Sequence, residues 1–339
     1  PEHAALSRKA AVEGMVLLKN LGGALPLKRG EKVALFGKAT IEYIKGGGGS
    51  GDVYTAYVRN IYDGFAEKEA EGKVSVYMPT VEFYKEYVKE ESKKIPTRAQ
   101  IEKIWDKVNA MDFCKEKDDI IYDTFASMHV REAAVPDELI NIAAENADVA
   151  VITLSRFSAE GVDRKPIDSD YYLSFEEKSL INRASKAFKK TIVVLNSGAV
   201  VDCEHFADND KVQGILFGWQ GGLEGGAAVA DILCGDVRPS GKLADTIPVS
   251  YYSYQNAEEF LTGFEHLDYY DDIYVGYRYF ETVPGAAERV RYPFGFGLSY
   301  TDFELSGVLC GETDGKIVVS VNVKNIGSVP GKETVQLYY

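Results

Sequence analysis

A layered α/β domain with a mostly parallel sheet, followed by an incomplete antiparallel β-sandwich, is the fold this sequence predicts. Short apolar runs rich in β-branched residues recur at 33–36, 74–77, 149–154, 192–195 and 214–217 without polar alternation. Strands buried on both faces read this way, as in a parallel sheet covered by helices. Helical patterns lie between the runs, which completes the α/β layering. After Phe303 the period changes to two: Ile317, Val319, Val321 and Val323 alternate with Val318, Ser320, Asn322 and Lys324, as in an antiparallel sheet.

Taken in order, residues 4–14 form an alanine-rich helical stretch, and apolar Met15 to Leu18 follow. Ser174 and Glu177 have capping-box spacing and open a helix to about Phe188. Residues 223–233 form a small-residue helix that stops near Gly235. The rhythm breaks at 79–147, where helical stretches at 81–92 and, after a Thr97/Gln100 capping box, at 98–111 suggest an insertion on the sheet. Residues 1–250 thus read as the α/β domain. Residues 251–301, rich in tyrosine and aspartate, read as an ordered connection. Residues 302–339 read as the start of a sandwich, with strands at 303–309, 317–323 and 334–339 and a turn at Asn325, Ile326 and Gly327. A sandwich of this kind takes about seven strands and ~100 residues. The polypeptide is therefore expected to continue past Tyr339, or a partner to supply the remaining strands.

Composition narrows the function. The chain has 339 residues, 52 acidic and 38 basic, with a formal charge of −14. That field repels phosphate backbones, so nucleic acid is not the expected partner. No apolar run is long enough for a membrane helix. The four cysteines are far apart, and the four histidines lack paired spacing, so neither a disulfide framework nor a metal site is expected. With no leader pattern at Pro1 to Ala4, a cytoplasmic setting is the expectation.

Three stretches carry candidate chemistry. Gly46, Gly48 and Gly51 formally satisfy G-x-G-x-x-G, but about nine residues separate the run from its strand, and Asp52 stands where a P-loop needs lysine. A flexible surface loop explains the glycines, and so does a backbone that approaches a ligand closely, with Ser50 adding a hydroxyl. The second stretch, Ser155 to Arg164, follows a buried strand, and ligands gather beyond the carboxyl ends of parallel strands. Glu160 is set off by Gly161, and Asp163 and Arg164 are near enough to pair or to orient neighbours. An ordinary acidic loop accounts for the same residues. The third, Trp219 to Gly226, suits a tight strand-to-helix turn.

Together these pieces resemble glycoside hydrolase family 3. Glu13 to Asn20 with Leu25, Pro26 and Leu27 is similar to the opening of that family's second domain. Lys45 to Asp52 is similar to its glycine-rich active-site loop, and Ala159 to Arg164 to its acid/base loop. Pro239 to Leu243, Tyr274 to Phe280 and Tyr292 to Tyr300 continue the series. Gly331 to Tyr338 resembles the fibronectin type III-like module that follows in many members.

The resemblance implies a retaining β-glucosidase half without cofactor or metal. Glu160 would be the catalytic acid/base. Ser50 and Gly49 would contact the sugar, and Asp163 and Arg164 would hold the loop. The nucleophilic aspartate would sit on a (β/α) barrel outside this chain, in the same polypeptide or in trans, as in members with swapped domain order. The chain alone would then be inactive, with Glu160 titrating near its ordinary value. The same resemblance leaves a β-xylosidase, an α-arabinosidase, a non-catalytic carbohydrate-binding module and a homo-oligomer open. It disfavours an N-acetylglucosaminidase, since those members usually lack this glutamate.

Overall fold

In a computed structural model, residues 2–260, 266 and 268–338 are described. Six strands form the main sheet: β1 (Val16–Asn20), β2 (Lys32–Phe36), β3 (Ser75–Val76), β4 (Val149–Ser155), β5 (Lys190–Asn196) and β6 (Gly214–Phe217). Their spatial order is β1-β6-β5-β4-β2-β3. Strands β2 to β6 run parallel. The apolar stretch after the first helix becomes β1, an antiparallel edge strand on β6.

Burial on both faces explains the continuous apolar runs. In β4, Val149 and Val151 pack into one layer, while Ala150, Ile152 and Leu154 pack into the other. The first layer is closed by α1 (Glu2–Gly14), α2 (Ile61–Ala70) and α9 (Gly225–Leu233), through Val12, Ile61, Phe65 and Val229. The second is closed by α3 (Met78–Glu91), α6 (Asp137–Asn146), α7 (Phe175–Ala187) and the short α8 (Glu204–Ala207), through Tyr84, Ile140, Leu180 and Phe206. The α7 capping box forms: Ser174 Oγ accepts from the Glu177 N–H at 3.1 Å, and the Glu177 carboxylate accepts from the Ser174 N–H at 2.8 Å.

Within 79–147, α3 and α6 therefore belong to the layer that covers the sheet. Only α4 (Arg98–Asn109) and α5 (Lys115–Ser127) extend past it. The 74–77 run shortens to the two-residue edge strand β3 because α3 starts at Met78, with Pro79 in its first turn, where a missing N–H costs nothing.

The connection carries a small ribbon of β7 (Ile247–Pro248) with β8 (Val290–Tyr292) and the helix α10 (Tyr277–Thr282). Part of the expected connection, residues 261–265 and 267, lies outside the described residues, as does Tyr339. The period-two segment forms a hairpin of β9 (Phe303–Thr313) and β10 (Lys316–Asn325). Asp314 and Gly315 turn it with φ of 52° and 71°, which suits a primed hairpin turn. The strand expected at 334–339 does not form over 334–338. Just before it, Lys332 pairs with Glu13 and Glu333 with Lys242 of the α/β domain, each at 2.7 Å, and within it the Tyr338 ring meets that of Tyr277 in the connection at 5.9 Å. Among the described residues, no helix is long and apolar enough to cross a membrane, and no group of three His, Cys, Asp or Glu side chains could hold a metal.

Candidate active site

At the carboxyl edge of the sheet the chain leaves β2, β4, β5 and β6 in loops that meet. Gly37 ends β2 with φ of 92°, and a Cβ there would lie 2.1 Å from the Thr153 carbonyl oxygen, so only glycine fits. The last residue of β5, Asn196, joins two of the loops. Its Oδ1 accepts from the Ile44 N–H at 2.9 Å, and its Nδ2 donates to Ile44 O at 2.9 Å and Trp219 O at 2.8 Å. Ser158 Oγ donates to Gln220 Oε1 at 2.9 Å, which connects the loops after β4 and β6.

The glycine loop lies directly on the glutamate loop. Gly48 N–H donates to Ser158 O at 2.7 Å, and Glu160 N–H donates to Gly48 O at 3.2 Å. Gly49 has φ of 81°, and a Cβ there would sit 2.7 Å from Glu160 Cβ. Ser50 donates its N–H at 3.0 Å, and also its hydroxyl, to Glu160 Oε2. These two bonds hold the exposed Glu160 carboxyl below the usual carboxylate range, the hydroxyl contributing most. The expectation of ordinary titration is therefore corrected: the chain's own Ser50 stabilises the carboxylate. The Gly48, Ser50, Asp52 and Val53 amides already face protein oxygens, and the next α-helix starts only at Ile61, which is not the layout of a phosphate cradle.

Helix α5 braces both loops. Phe125 packs where a Gly48 Cβ would stand, and the Tyr122 and Phe157 rings meet at 5.5 Å. Lys165 pairs with Asp119 at 2.7 Å and Asp118 at 3.1 Å. Below them, buried Arg156 makes a two-pronged bond to Glu177 at 2.6 and 2.7 Å. Next to it, Glu132 accepts from the Lys38 N–H and the Tyr84 hydroxyl, each at 3.0 Å, and burial pushes its carboxyl up to about 7.

The description "Glycosyl hydrolase family 3 C-terminal domain" matches residues 15–300. The chain belongs to glycosyl hydrolase family 3. Beta-glucosidase A of Butyrivibrio fibrisolvens is 41% identical over 375 positions, which cover 100% of this chain and 41% of that protein. A beta-glucosidase of Ruminococcus albus is 36% identical over 96% of this chain and 31% of its own length. Among solved structures, beta-glucosidase 3B from Thermotoga neapolitana in complex with glucose superimposes with a TM-score of 0.80 at 35% identity, over 96% of this chain and 42% of that one. The chain thus spans about two fifths of the length of the first of these family 3 relatives.

Of the residues singled out from the sequence, Glu160, Ser50 and Gly49 come together in one contact. Arg164 lies beneath the loop, its ring of contacts made by Asp170, Phe157 O and the Phe157 face at 5.5 Å. Asp163 is exposed and does not pair with Arg164, whose guanidinium is taken by Asp170. Sequence reading missed Asp170, Asn196, Tyr122 and Phe125. A polar residue ending a buried strand was a usable signal for Asn196. The contacts of Tyr122 and Phe125 depend on tertiary packing of α5, and those of Asp170 on the way its own loop folds back onto Arg164 and Lys165.

Proposed function

We propose that this chain is the acid/base half of a retaining β-glucosidase that removes terminal β-D-glucosyl residues. The observation that carries the reading is the contact of Glu160 with Gly49 and Ser50 at the carboxyl edge of a parallel sheet, in a chain of family 3. In a retaining enzyme two carboxyl groups about 5–5.5 Å apart flank the bond to be broken. Glu160 donates a proton to the departing glycosidic oxygen as a nucleophilic aspartate, on a barrel half, attacks the anomeric carbon. It then takes a proton from the water that releases the glycosyl-enzyme. Ser50 and the Gly49 backbone, beside the carboxylate, meet the sugar in the first subsite. Ser50 lowers the pKa of a carboxyl that must have a raised one to act as a general acid. The barrel must therefore supply desolvation and a neighbouring negative charge, both of which push a carboxyl up.

The test is Glu160→Ala in the polypeptide that joins this chain to its barrel. Hydrolysis of cellobiose and alkyl glucosides should collapse, while aryl glucosides with very good leaving groups still form the glycosyl-enzyme. Azide should then restore turnover by replacing the activated water. Near-wild-type cleavage of cellobiose refutes the assignment.

A further inference from the structure

Glu160 stands at an exposed tip, so its direction is set by the frame below it. On one side that frame is the Gly48 backbone. On the other it is a closed circuit around Asp170. Asp170 is fully buried. Its carboxylate accepts from an Arg164 amino group and from the Lys165 N–H at 2.7 Å, and it faces the Tyr122 hydroxyl. Its own carbonyl accepts from Arg156 Nε at 2.7 Å. The second amino group of Arg164 donates to Phe157 O. One buried carboxylate thereby fixes residue 164 to residue 157, the two ends of the stretch with Glu160 at its tip. Tyr122, which faces Asp170 and packs its ring on Phe157, ties that stretch to α5, which also carries Phe125 against Gly48.

We propose that Asp170 is a positioning residue for the acid/base, acting through Arg164 and Tyr122 on the loop that aims Glu160. The proposal rests on the reading of Glu160 given above. Burial without this partner would leave the Arg164 guanidinium and the Lys165 amide without a charged acceptor, and desolvated donors rearrange to find one. Asp170→Asn keeps the shape but replaces an acceptor oxygen by a donor NH2. Arg164 then loses its hold, and the tip moves while the sheet below stays intact.

A misdirected acid has a specific signature. Proton transfer matters most for poor leaving groups, and general acid catalysis is worth about 10²–10⁴-fold. In the polypeptide joined to its barrel, Asp170→Asn should lower kcat/KM for methyl β-glucoside by about tenfold or more, within that range. For dinitrophenyl β-glucoside, glycosylation should change by less than about threefold, because the leaving group needs little protonation. The effect should lie in kcat, with KM unchanged. Tyr122→Phe removes the hydroxyl that faces Asp170 and keeps the ring on Phe157. It should give a smaller loss of the same pattern, and it decides the matter if Asp170→Asn does not fold. Equal losses on both substrates, or none on either, in the folded variants would overturn the positioning role. Glu160→Ala is measured alongside. If it too lacks leaving-group dependence, the acid/base reading fails and takes this one with it. If it shows the dependence and the folded Asp170 and Tyr122 variants do not, only the positioning role falls.

Discussion

Replacing Glu177 by glutamine tests whether the frame under the candidate site depends on a buried charge. Glu177 and Arg156 are 2% and 5% exposed, and their two-pronged bond measures 2.6 and 2.7 Å. Arg156 also donates to Asp170 O at 2.7 Å, Ser155 O at 2.8 Å and Tyr172 O at 3.3 Å. Glutamine can still accept from the Ser174 N–H, so the helix cap survives in part. The Arg156 charge loses its partner, and breaking such a buried pair costs about 3–5 kcal/mol. The pH dependence has a definite sign. Burial pushes the Glu177 carboxyl up, but the Arg156 charge and hydrogen bonds, with the Ser174 N–H, outweigh it and hold the group below its ordinary value. A lowered folded pKa contributes stability that is present above the unfolded value, about 4.3, and is lost as pH falls through the folded one. The wild type should therefore exceed Glu177→Gln by the full amount at pH 7.5, and the gap should narrow in acid. Urea unfolding followed by tryptophan fluorescence measures it, since the Trp219 ring packs against Phe217 with centroids 3.8 Å apart. A gap below about 1 kcal/mol at pH 7.5, the scale of one ordinary hydrogen bond, refutes the argument. So does a gap that stays constant in acid.

Gly37→Ala should destabilise by about 2–4 kcal/mol, from a positive φ and a Cβ driven into the Thr153 carbonyl. Gly30→Ala, with φ of 88° and open space around it, should cost only the conformational part, about 1–2 kcal/mol; equal losses in thermal unfolding would contradict the steric account. Burial raises the Glu132 carboxyl to about 7, so its contribution to stability is full below its ordinary value and lost as pH rises through 7. Relative to Glu132→Gln, the wild type should lose about 3 kcal/mol between pH 4 and 8, and a flat difference would exclude it. Ser50→Ala should move the Glu160 titration, followed by carbon NMR of the side chain, up toward the ordinary carboxylate value, and an unmoved titration would show that Ser50 does not stabilise the anion.

The sheet was readable because a strand buried on both faces leaves a continuous apolar run, and 149–154 and 192–195 both lie within strands of the structure. Strand β1 was harder: Val16 to Asn20 follow a helix directly, and their partner Phe217 lies some two hundred residues away. The capping box at Ser174 was legible because it is local. Its second use was not, since Glu177 also grips Arg156 from another element. The same distinction separates Glu160 from Asp170. Glu160 was marked by a local pattern, a glycine-flanked acid after a buried strand. Asp170 sits among Ile167, Asp168 and Ser169 with nothing to distinguish it, and its importance arises only when Arg164, Lys165 and Tyr122 converge on it. The strand expected at 334–338 failed for a related reason. Alternation states a willingness to pair, and here the segment's contacts are instead with the connection, next to ion pairs from Lys332 and Glu333 to the α/β domain.

On the proposed reading, position and acidity of the acid/base are separable properties built by different surfaces. Position comes from within this chain: Gly49 admits the close approach, Gly48 supplies the backbone contact, and Arg164 with Asp170 closes the frame. Acidity does not. Glu160 is exposed, and its hydrogen-bond donors favour the anion, which is the state of a base and not of a proton donor. A surface that covers Glu160 removes water from the carboxylate and raises its proton affinity, and a second carboxylate within a few ångströms raises it further. Such a division keeps the glutamate from acting as a competent acid until the complementary half is in place. Proton donation then becomes available only where a nucleophile is also present to attack.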